Sequence, residues 1–190
     1  VYRLVKQKTL DKPVCSICGT VKRYVLNHVA FKHGFDLVLT GHNLNDVYAF
    51  INTNIMSGSI VELSKLQPYT PEFNGFVAKA KPLFFNYEYE NQLYVDAKGL
   101  KIVEATCPYK PYKEDTLTIS FKKQLLELEK NHPGVGILFV KKFLEDITPF
   151  LASGVNVSSI NKCSVCGYPS LTDPCGYCRL KSRIYRYLGK

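Results

Sequence analysis

The sequence predicts an α/β chain with a largely parallel sheet over residues 1–152 and a small metal-held finger over 153–190. Three observations predict it. Short apolar runs alternate with segments of helical spacing through the first part. Four cysteines in two CxxC pairs fall in the second part, which is too short to bury much core of its own. The run Ser153-Gly154-Val155-Asn156-Val157-Ser158-Ser159 reads as the linker between the two.

Taken in order, the polar segment up to Val14 ends at Lys12-Pro13 and reads as a loop that delivers the chain to Cys15. Val21, Tyr24, Val25, His28 and Val29 follow helical spacing, and Gly34 supplies a stop, which sets Cys18 just before a helix. Leu37-Val38-Leu39 reads as a strand, Thr40-Gly41-His42-Asn43 as a turn, and 45–56 as a helix closed by Ser57-Gly58. The pattern recurs with a strand at Pro82-Leu83-Phe84-Phe85, a helix from Tyr87 to Lys98 stopped by Gly99, and a strand at Lys101-Ile102-Val103. Two helices follow, one over 116–131 ended by His132-Pro133-Gly134 and one over 135–151.

Composition narrows the function classes. With 46% hydrophobic residues, 190 residues suffice for one well-buried domain and an appendage. No apolar run reaches membrane-spanning length, and charges break up the N-terminal segment before a signal peptide can form. The expected compartment is the cytoplasm, with no membrane partner. A formal charge of +9, from 25 Lys+Arg against 16 Asp+Glu, points to a polyanionic partner, nucleic acid first.

Cys163, Cys166, Cys175 and Cys178 form two knuckles eight residues apart. Each pair brings two sulfurs to one ion from a tight turn, and Gly167 and Gly176 sit where those turns favour positive φ. Four thiolates close a tetrahedral zinc, so the expected role is structural; two disulfides are the alternative. Arg179, Lys181, Arg183 and Arg186 follow, interleaved with Tyr177, Tyr185 and Tyr187, as a candidate nucleic-acid surface. Cys15-Ser16-Ile17-Cys18 is a third pair, and Cys107 stands alone. Three thiolates can hold a four-iron cluster with one iron left open. A redox dithiol, a zinc site completed by His28 or His42, and a Cys107 unrelated to the pair suit the spacing equally.

Cys15 to Arg23, Thr40 to Asp46, Cys107-Pro108-Tyr109 and the paired knuckles, in that order, resemble the tRNA 2-thiouridine synthetases of the PP-loop ATP pyrophosphatase superfamily, the tRNA uridine 2-sulfurtransferases. The resemblance implies a Rossmann-like (adenine nucleotide alpha hydrolase-like) parallel sheet, incomplete at its N-terminus, with added C-terminal helices and a zinc ribbon-like finger. It implies a [4Fe-4S] cluster on Cys15, Cys18 and Cys107, catalytic roles for Lys22 and Asp46, and ATP contacts at Gly41 and His42. The implied reaction adenylates the C2 oxygen of a tRNA uridine with ATP and Mg2+, after which sulfide attacks C2 and AMP departs. Lys22 near a helix N-terminus suits phosphate charge, and Asp46 follows the strand-turn edge where open α/β sheets bind nucleotides.

The implied partners are tRNA and a ubiquitin-like sulfur carrier with a C-terminal thiocarboxylate; a homodimer is a further expectation. Two departures stand out. Asn45 and Val47 replace acids of the family's GHNLDDE, and the SGGxDS phosphate loop does not occur in the 190 residues. The expectation is therefore the C-terminal portion of such an enzyme, with the phosphate loop before Val1. The alternatives are a non-catalytic tRNA-binding metalloprotein with two structural metal sites and a relative that acts on tRNA cytidine.

Overall fold

The structure is a computed structural model and describes residues 14–73, 75–103, 107, 116–154, 161–170 and 172–189. The expected loop before Val14 and most of the expected linker lie outside them. The chain divides into two compact units. One comprises Val1–Val38, Thr70–Lys79 and Val157–Lys190; the other comprises Leu39–Tyr69 and Ala80–Asn156. The architecture is mixed α/β with small sheets: three short strands, Leu37–Leu39, Ala78–Ala80 and Tyr69–Thr70, are neighbours in that order, and two more form a separate hairpin.

Helix α1 (Val14–Lys32) opens the first unit and β1 (Leu37–Leu39) follows it. The helix begins well before Val21, so both Cys15 and Cys18 lie on it rather than ahead of it. The reason is tertiary. Ile17 is 2% exposed and packs against Leu180 and Ile184, which draws the first turns into regular structure. Strands β2 (Tyr69–Thr70) and β3 (Ala78–Ala80) come next in the chain after the early helices of the other unit.

The second unit is built on α2 (Leu44–Met56), with the single turn α3 (Ile60–Leu63), α4 (Glu88–Lys98), α5 (Leu117–Asn131), α6 (Val135–Lys142) and α7 (Thr148–Ser153) around it. Helix α2 buries two faces. Leu44, Val47 and Ile51 join Leu63, Phe84, Val140 and Phe143 in one cluster. Tyr48 and Ala49 meet Phe121 and Leu125 in another. Complete burial of each such aliphatic side chain stabilises by about 1.5–3 kcal/mol.

Three expected elements differ. Residues 82–85 are turn, not strand, because Pro82 has no N–H and Phe84 N–H turns back to Lys81 O at 3.1 Å. Residues 101–103 take no regular structure and are exposed. The expected helix over 135–151 is interrupted by a π-helical turn at Phe143–Ile147, where Thr148 N–H reaches Phe143 O. Pro149, whose nitrogen cannot donate, sits at the start of α7. Strands β4 (Asn161–Lys162) and β5 (Pro169–Ser170) pair antiparallel, and α8 (Gly176–Tyr187) ends the first unit.

Candidate functional site

The first unit gathers the C-terminal cysteines. Cys163 and Cys166 lie on the loop of the β4–β5 hairpin, where Gly167 takes φ 70° and its N–H bonds Cys163 O at 2.8 Å. Cys175 caps α8, its sulfur accepting from Cys178 N–H at 3.4 Å. Gly176 is the first helical residue there, not the positive-φ position expected of it. All four Sγ atoms lie within 4.8 Å of one another, and Cys166 Sγ stands 3.9 Å from Cys175 Sγ. Ligands ~2.3 Å from one tetrahedral zinc stand about 3.8 Å apart. A four-iron cluster holds its thiolates on separate irons and therefore farther from one another, so this spacing fits one ion.

The electrostatics of the group agree. Burial would raise the Cys163 thiol, yet N–H groups of Cys175, Cys166 and Val165 hold it down to about 6. Burial and the neighbouring cysteines push Cys178 up. Four confined sulfurs cannot all ionise without a cation among them, which a divalent metal supplies.

Aromatic rings from α1 cover the site. Tyr24 stacks on Tyr177 with centroids 3.9 Å apart and meets Tyr168 edge-on at 5.6 Å. Burial raises the Tyr24 phenol, as do its hydrogen bond to Cys166 and the charge of the cysteines around it. Tyr168 is pushed up to about 12, by burial first and then by Cys166. Helix α1 carries more than this cover. Cys15 and Cys18 are exposed thiols at i and i+3 and so share one face. Lys22 is exposed two turns inside the helix, not at the N-terminus expected for it. On α8, Tyr177, Leu180 and Ile184 face inward, while Arg179, Arg183 and Arg186 fall on another stripe of the helix. Lys181 lies over the Tyr185 ring at 5.3 Å.

The second unit carries Asp46, Gly41, His42 and Cys107. Asn43 and Asp46 form a capping box at the start of α2, with Asp46 N–H donating to Asn43 Oδ1 at 3.0 Å and Asn43 N–H to Asp46 Oδ2 at 3.2 Å. Asp46 Oδ1 lies 2.6 Å from Lys122 Nζ. Asn45, where the family pattern has an acid, is 1% exposed and accepts from Glu88 N–H at 2.9 Å. A cavity of about 510 Å³ opens beside Asp46, floored by Val47, Phe50 and Leu66 and edged by His42, Lys65 and Lys81. His42 bonds Thr40 through its ring at 2.9 Å, and a side chain at Gly41 would meet open space. Cys107 is exposed.

No protein-family model matches the chain. Over 182 residues it is 35% identical to the tRNA-5-methyluridine(54) 2-sulfurtransferase of Thermotoga maritima, a match that covers 95% of this chain and 58% of that protein. Over nearly all of its length the chain is similar to tRNA 2-sulfurtransferases. A second sulfurtransferase of that name, from Pyrococcus horikoshii, is 36% identical over 178 residues, covering 94% of this chain and 56% of its own length. The U34-tRNA thiolase NcsA from Methanococcus maripaludis, solved with its [4Fe-4S] cluster, superposes with a TM-score of 0.72 at 27% identity, over 91% of this chain and 54% of that one. The chain thus spans a little over half the length of these relatives.

Three contributors to these sites were not legible in the sequence: Lys122, Tyr24 and Tyr168. Each meets its partner through tertiary contact, so no local spacing marks it.

Proposed function

We propose that the chain is the cluster-bearing, tRNA-facing part of a cytoplasmic ATP-dependent tRNA uridine 2-sulfurtransferase. The observation that carries this reading is 35–36% identity to two tRNA 2-sulfurtransferases over 94–95% of the chain. In this reading Cys15, Cys18 and Cys107 hold a [4Fe-4S] cluster. Their chemistry fits, since all three are exposed thiols and two share a helical face. A cluster held by three thiolates keeps one iron open for a sulfur ligand. The four-cysteine group holds zinc and serves as structure.

The residues then divide the work. Lys22 offers a cation to phosphate charge on ATP, and Asp46, at the rim of its cavity, orients Mg2+ or the adenylated base. Gly41 leaves room for the nucleotide and His42 borders it. The uridine C2 oxygen bonds to the α-phosphorus as pyrophosphate leaves; sulfide then bonds to C2 as the C–O bond to AMP breaks. Arg179, Lys181, Arg183 and Arg186 contact tRNA phosphates, and a thiocarboxylate carrier protein delivers the sulfur.

The finer fold follows the same reading. Val25, Leu26, Val29, Phe35 and Leu37 are exposed around one apolar hollow. Such a face suits further layers of a Rossmann-like parallel sheet.

The test is anaerobic purification of the complete protein with iron, sulfide and zinc quantified, for wild type and Cys107→Ser. About four irons and one zinc per chain, with iron lost in the variant, support the reading. ATP-dependent thiolation of tRNA should accompany them. Two zincs, no iron and no reconstitution of a cluster would instead favour a tRNA-binding protein with two structural metals.

A further inference from the structure

Lys122 projects from α5 toward the first turns of two other helices. Its Nζ lies 2.6 Å from Asp46 Oδ1 and 3.2 Å from Glu88 Oε2. Asp46 is in the first turn of α2, and Glu88 is the first residue of α4. A cation beside helix N-termini is opposed by the macrodipole, so two carboxylates are needed to hold it there. The Lys122 and Asp46 side chains are 24% and 31% exposed, which leaves their attraction less screened than between fully solvated groups.

We propose that Lys122 is a positioning residue for Asp46, fixing the direction in which that carboxylate faces the cavity. The inference rests on the role given to Asp46 under the proposed function. Geometry carries it. Asp46 Oδ2 is held by the Asn43 N–H at 3.2 Å, so with Lys122 on Oδ1 the carboxylate is gripped at both oxygens and has one orientation. Glu88 gives Lys122 a second anchor, and Glu88 N–H is tied to the buried Asn45 at 2.9 Å. The ammonium therefore keeps its place when a ligand draws on Oδ1. Thr118, one turn before Lys122 on α5, lines the same cavity as Asp46. Burial alone would lower the Lys122 ammonium, but the bonds and charges of Asp46 and Glu88 outweigh it and raise it, so it stays charged.

The test is steady-state thiolation of tRNA by the complete protein with ATP and sulfide. Lys122→Met should lower kcat about tenfold or more at unchanged KM for tRNA, since small misplacements of reacting groups cost that much. Lys122→Arg should recover most of the loss. In an Asp46→Asn background, Lys122→Met should cost nothing further, because one residue acts through the other. Wild-type kcat in Lys122→Met beside an impaired but measurable Asp46→Asn overturns the proposal, as does an additive loss in the double variant. A normal kcat per folded molecule, with only yield or melting temperature reduced, overturns it too. Full activity in Asp46→Asn would instead overturn the assignment of Asp46 itself. If Lys122→Met does not fold, Lys122→Gln carries the same comparisons.

Discussion

Glu129 shows how much one side chain can organise. Its carboxylate accepts from the Tyr87 hydroxyl at 2.6 Å and from the Gly134 and Gly136 N–H groups, each at 2.7 Å. It thereby serves the otherwise unpaired donors at the start of α6 and ties them to Tyr87, the residue that precedes α4. Burial would raise this carboxyl, but the Tyr87 hydroxyl and the two N–H groups outweigh it and lower it. A carboxylate lowered on folding adds stability that is complete above its unfolded value and is lost as pH falls through its folded value. Glu129→Gln should cost about 1 kcal/mol at neutral pH. Its urea midpoint should also depend less steeply on pH below about 4.3 than that of wild type. Lys22→Ala makes a contrast. It is an exposed helical position, so the melting temperature should stay within about 2 °C while thiolation is abolished. Retained activity would remove Lys22 from the proposed mechanism.

At the scale of elements, close approach of α5 and α6 depends on one glycine. A Cβ at Gly136 would stand 2.7 Å from Leu125 Cδ1 and 3.0 Å from Glu129 Oε1. Gly136→Ala should destabilise by about 1–3 kcal/mol, read as a lower midpoint at an unchanged denaturant slope. Helices with local signals were legible: Asn43 caps α2, Thr116 caps α5 through its Oγ, and Gly99 closes α4 at φ 61°. The start of α1 was not, because Ile17 is recruited by Leu180 and Ile184 from the far end of the chain. Apolar content at Leu83 and Phe84 mimicked a strand although Phe84 fills the core from a turn. The cysteine spacing announced the four-sulfur group, whereas nothing near Tyr24 announced that it would cover it. Since Tyr24 and Ile17 both dock α1 onto that region, Cys163→Ser should lose the proposed zinc and also speed amide exchange along α1. Unchanged exchange there would mean that the packing holds without the metal.

At the scale of the molecule, the four-cysteine group and the proposed cluster ligands are distributed differently. The four-cysteine group lies wholly within one unit, while Cys15 and Cys18 belong to that unit and Cys107 to the other. Cys107→Ser should therefore abolish visible cluster absorbance and leave zinc stoichiometry intact. Loss of both metals together would tie the two sites more closely than their ligands imply. The first unit is also discontinuous, with α1 near its beginning and α8 at its end. During synthesis the surface of α1 that receives Tyr177, Leu180 and Ile184 leaves the ribosome long before those residues exist. At ~5–20 residues per second the wait is on the order of ten seconds. Over that interval Cys15 and Cys18 sit on an unsupported helix. Loading of iron at the proposed cluster site is thus expected only once α8 has been made, and a nascent chain stalled before Cys163 should leave both thiols open to alkylation.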